Sequence, residues 1–87
     1  MMTIPDHAAE YTRADNAIRS LTRALDAQRD AIEALMEVAI SGDARTDADA
    51  VELRADMDLG VHRIHALIRR ETARRDAAEL AQRATAE

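Results

Sequence analysis

Residues 18–35 read IRSLTRALDAQRDAIEAL, and this stretch decides the fold. With Ile18 at heptad position a, the a positions hold Ile18, Leu25 and Ile32, and the d positions hold Leu21, Gln28 and Leu35. Apolar residues spaced by three and four form one stripe along an α-helix, and a stripe that keeps a seven-residue period packs as a coiled coil. The same frame runs outward to Ile4, His7, Tyr11 and Ala14 on one side and to Ala39 on the other. The neighbouring g positions Ala17, Ala24, Ala31 and Val38 widen the stripe and leave room for another helix to approach. Gln28 is a polar intrusion at d, where such a residue fixes register or pairs with its own copy.

Start and stop signals bound this helix and predict a second. Thr3 with Asp6 three residues on, and Pro5 between them, reads as a helix start. Gly42 follows the last apolar residues and predicts a left-handed helix stop. Thr46, followed by Asp47 and Asp49, repeats the start signal, with acids suited to the positive end of a helix. The predicted helices span about residues 4–41 and 47–84, joined by a turn at 42–46, with 85–87 frayed, all within a single domain 1–87. Equal helices with a short connection form an antiparallel hairpin, so the fold class is all-α.

The second helix carries Ala50, Leu53, Met57, Val61, Ile64, Leu67 and Ile68 on one face. Folding about Asp43 and Ala44 sets Leu25 near Ile64 and Ile32 near Met57. Beyond Ile68 that stripe gives way to Glu71, Arg74 and Arg75, and a second stripe runs through Ala55, Leu59, His62, Ala66, Ala73, Ala77, Leu80 and Ala84. A helix apolar on two sides needs a second partner. One seam lined mostly by alanine does not offset the chain entropy of folding, about 1.5 kcal/mol per residue. A homodimeric four-helix bundle follows as the expectation, with Ile18, Leu21, Leu25, Ile32, Leu35, Leu53, Met57, Leu59, Ile64, Ala66 and Leu67 in its seams. Gly60 reads as a point of close approach; the alternative is a break there, giving a three-helix bundle with helices near 4–41, 47–59 and 61–84.

Composition narrows the class of function. Of 87 residues 47% are apolar, yet 20 of these are Ala and one, Tyr11, is aromatic, which excludes an all-β fold. Cys is absent, so a disulfide scaffold is excluded. No apolar run approaches the roughly 20 residues of a membrane span, and no secretory leader opens the chain, so a cytoplasmic protein is expected. All twelve basic residues are Arg, a usage typical of GC-rich bacterial or phage genes. The net charge of −5 does not suit a general nucleic-acid coat.

Charge is segregated on the second helix. Residues 43–58 hold six acids and two Arg, net −4, whereas 59–75 hold five Arg and one acid, net +4. Such a gradient complements the helix dipole as ordinary solvated surface. Read functionally, Arg63, Arg69, Arg70, Arg74 and Arg75 form a patch for an acidic partner or nucleic acid. Dimeric helical hairpins of the Rop type bind RNA; this is an architectural analogy, with no shared motif, and no aromatic residue accompanies the Arg patch for base stacking. The acids of the hairpin tip suggest a further alternative, a phage-type acidic inhibitor of a host nucleic-acid-binding or defence protein.

Asp58, His62 and His65 share one helical face at spacings of four and three, a weak metal-site candidate because one helix rarely supplies a whole ligand set. Ser20, Ser41 and the threonines lie in no nucleophile motif, and no Gly-rich phosphate loop occurs. The expected function is therefore non-enzymatic and cofactor-free: a small helical adaptor or regulator acting by protein–protein interaction.

Overall fold

The computed structural model describes residues 6–86. Two helices, α1 (His7–Ser41) and α2 (Ala44–Ala86), fold into an antiparallel hairpin 64 Å long and 19 by 18 Å across. Helix α2 runs unbroken through Gly60, so the three-helix alternative is not adopted.

The helix ends correct the expected ones. The start signal at Thr3 and Pro5 lies outside the described residues. The described cap of α1 is Asp6, whose side chain accepts the Ala9 N–H at 3.0 Å. The interhelical link is only Gly42 and Asp43, shorter than the expected 42–46 turn. Asp43, not Thr46, caps α2: its Oδ1 accepts the Thr46 N–H at 2.8 Å, and the helix starts at once at Ala44. Thr46 donates to this carboxylate through both its N–H and its hydroxyl, and with the Arg45 N–H it holds the Asp43 carboxyl below its ordinary value of 3.8. Gly42 is not left-handed either; φ −84° and ψ 171° are extended backbone. Its N–H donates to Val38 O at 2.8 Å, and a Cβ there would lie 2.9 Å from both that oxygen and Thr46 Cγ2. Glycine is required by the tightness of the link, not by its backbone angles.

The short link also tightens the register. The Gln28 Nε2 donates to Met57 O at 3.3 Å and lies 3.1 Å from where a Gly60 Cβ would stand. Gln28 thus acts as the expected register residue, within its own hairpin, and Gly60 is the close-approach point that admits it. The missing Cβ leaves room for the amide to reach a helix carbonyl.

Burial follows the heptad frame. Among the described residues the buried apolar ones are Ala14, Leu25, Ala50 and Ala78. Ile18, Leu21, Ile32, Leu35, Met57 and Ile64 are half-buried along the same seam. Three of the four buried residues are alanines, which let the helices sit close but contribute little area each. Leu25, 6% exposed, is the one bulky side chain enclosed among the described residues, so substitutions there test the seam most directly. Leu25→Asp is expected to abolish folding, because it buries a charge without a partner, while Ile32→Asp at a half-exposed position weakens it less; circular-dichroism melts of both variants check the order. Acid should loosen the start of α2. A depressed carboxyl stabilises fully above its ordinary value, and that contribution fades as pH falls through the lowered value. Asp43→Asn keeps a competent cap and is expected to lose less stability than the parent between about pH 7 and about pH 2 in such melts.

Candidate interaction surface

The basic patch of α2 divides into two sets. Arg75 Nη1 donates to Asp15 Oδ1 at 3.1 Å, with the two side chains 29% and 24% exposed, and Asp15 also meets Arg19 at 3.1 Å. Arg74 Nε reaches Glu10 Oε1 at 3.3 Å, and its Nη1 reaches Glu71 Oε2 at 3.3 Å. These two arginines fasten α1 to α2 where the bulky apolar residues of α2 have given way to alanines, and their charges are engaged by acids of the same hairpin. Arg63, Arg69 and Arg70 are exposed and, among the described residues, meet no acid. The reverse holds towards the tip: Asp49, Glu52 and Asp56 are exposed and meet no cation there.

The metal candidate does not assemble. Asp58 lies 3.9 Å from Arg54, and His65 Nε2 lies 3.4 Å from Arg29 Nη2. Among the described residues no three His, Cys, Asp or Glu side chains form a group able to hold an ion. A shallow depression is lined by Asn16, Ile18, Arg19, Ser20, Thr22 and Arg23, all on α1, so it gathers no groups from the two helices together.

The two broad faces of the hairpin differ. With a at Ala50 in α2, the bridges Asp15–Arg75 and Arg29–His65 lie on one side of the seam, beside Glu33, Arg54 and Asp58. The Glu10–Arg74 pair and Gln28 lie on the other side. Between them that second face carries the g row of α1, Ala17, Ala24, Ala31 and Val38, and the d row of α2, Leu53, Gly60 and Leu67. Val38, Leu53 and Leu67 are 44%, 47% and 42% exposed, large apolar side chains half in water on a single face. Flanking this face at the g positions of α2 are Asp49, Asp56, Arg63 and Arg70.

The second stripe of α2 is exposed along its whole length. Leu59 is 48% and Leu80 69% exposed, and Ala55, His62, Ala66, Ala73, Ala77 and Ala84 are exposed with them. Leu59 and Ala66, placed among the seam residues from sequence, therefore stand outside the seam of the hairpin, and Leu53 and Leu67 stand at its open edge.

Sequence reasoning missed the α1 acids that engage the arginines. Asp15 and Arg75 both occupy e positions of their heptads, and opposite charges at such positions of antiparallel neighbours are the signal that finds them. Arg75→Ala is expected to lower stability by about 0.5–1 kcal/mol, while Arg70→Ala stays within about 0.5 kcal/mol of the parent; urea titrations of the two variants check the contrast.

Among the described residues no helix is long and apolar enough to cross a membrane. No protein-family model matches the chain, and neither do curated proteins or solved structures.

Proposed function

We propose that this chain is a small non-enzymatic helical protein that acts by protein–protein interaction, as a self-associating adaptor or regulator. One observation carries the reading. The hairpin exposes 6783 Å², whereas a folded monomer of its 9.6 kDa mass exposes about 5,100 Å². The excess, about 1,700 Å², is ample for the roughly 800 Å² that each partner buries in a standard interface. The half-exposed Val38, Leu53 and Leu67 support the same reading, since a stable monomer has little use for leucines on an open face. Homodimerisation into a four-helix bundle supplies that cover without any other molecule.

A second reading is favoured by the acids without a cation. Asp49, Glu52 and Asp56 suit a basic partner, as in an acidic inhibitor of a nucleic-acid-binding or defence protein. The unpaired Arg63, Arg69 and Arg70 equally suit an anionic one, nucleic acid included. Sedimentation equilibrium of the purified chain tests the leading reading. The expected mass is twice 9.6 kDa at micromolar concentration, and a well-folded monomer there would overturn self-association.

A further inference from the structure

We infer that the second copy docks on the Ala17–Ala24–Ala31 and Leu53–Gly60–Leu67 face with its tip at the other copy's open end, about a two-fold axis passing beside Gly60 and Ala24. The inference rests on the self-association proposed above and adds the surface, the orientation and the contacts.

Charge decides the orientation. The tip half of the hairpin, residues 24–58, carries ten acids and three Arg, net −7, while residues 6–23 are neutral and 59–86 net +3. Two copies side by side with tips together would set −7 against −7. Two copies tip to open end set each acidic half against a basic one.

The same arrangement satisfies the flanking rows residue by residue. The g positions of α2 read Asp49, Asp56, Arg63, Arg70, acidic before Gly60 and basic after it. When two such helices run antiparallel about Gly60, Asp56 stands level with the partner's Arg63, and Asp49 with the partner's Arg70. In antiparallel coiled coils these g rows face one another across the contact. None of Asp56, Arg63 and Arg70 has an opposite charge three or four residues away on its own helix, and none has an ion-pair partner among the described residues. Their pattern is left without a use inside one hairpin.

The apolar rows obey the same symmetry. Leu53 comes level with the partner's Leu67, both half-exposed in the single hairpin, and Gly60 meets its own copy on the axis. On α1 the centre falls at Ala24, so Ala17 comes level with the partner's Ala31, an alanine row through which two helices approach closely. One two-fold axis therefore serves both helices, as an isologous interface requires.

A charge swap tests it. In Asp56→Arg the substituted position meets the partner's Arg63, and in Arg63→Asp it meets the partner's Asp56. Each single variant is expected to dimerise about tenfold more weakly than the parent. The double variant D56R/R63D restores the pairing, and an equimolar mixture of the two single variants forms a heterodimer tighter than either homodimer. Asp56 and Arg63 lie about 10 Å apart along one helix, too far to pair within a chain, so recovery reports contact between chains. A spin label at Arg45→Cys, in a chain free of other Cys, reads the orientation. Arg45 lies fifteen residues from Gly60 on one helix, so labels about 45 Å apart along the long axis are expected. A dimer with close-set labels, or one indifferent to the swap, would overturn the orientation and leave self-association standing. A monomer in every variant and in the parent would overturn both.

Discussion

A single seam between two helices has to hold this molecule, and its side chains are small. Among the described residues, three of the four that are buried are alanines, and Leu25 is the one large side chain with them. Close approach without bulk gives a well-defined spacing and little buried area. The consequences run through the rest of the structure: a register held by polar groups, an open end held by ion pairs, and leucines left half in water.

The polar groups are unevenly placed along the hairpin. Near its middle Gln28 reaches the Met57 carbonyl through the gap at Gly60. Towards the open end Asp15 and Glu10 hold Arg75 and Arg74 where the seam is down to alanines such as Ala14 and Ala78. Hydrogen bonds and ion pairs of this kind add modestly to stability but are demanding in geometry. They select one sliding position among the several that an alanine seam would tolerate.

The helical hairpin was legible in the sequence because its period is long and regular. Ile18, Leu21, Leu25, Ile32 and Leu35 recur over several turns, and Gly42 was the only Gly or Pro between Pro5 and Gly60. The link was misread for a local reason. Thr46 and Asp43 are both good caps, and the choice between them depends on how closely the helices can turn, which a Cβ-free residue 42 decides. The candidate surface was half legible. The excess of exposed apolar residues on α2 was visible, and the stripe through Leu59 and Ala66, expected to meet a second copy rather than α1, is exposed in the single hairpin. The division of the arginines was hidden for a further reason, since the acids that tie Arg74 and Arg75 to α1 lie some sixty residues away in the chain.

The two-residue link has a bearing on how this sequence can change over time. With Gly42 and Asp43 alone between the helices, there is no slack to absorb a length change. One residue gained or lost inside α2 turns everything beyond it by about 100°, carrying Ile64 and Ile68 out of the seam and Arg75 away from Asp15. A change of seven residues turns it by only about 20°, and the faces survive. Drift in length is thus confined to whole heptads or to positions beyond the packed stretch of the two helices, whereas exposed positions away from the seam and the Ala17–Ala24–Ala31 face can change freely. Descendants of such a hairpin would keep its spacing long after their residues had ceased to look alike.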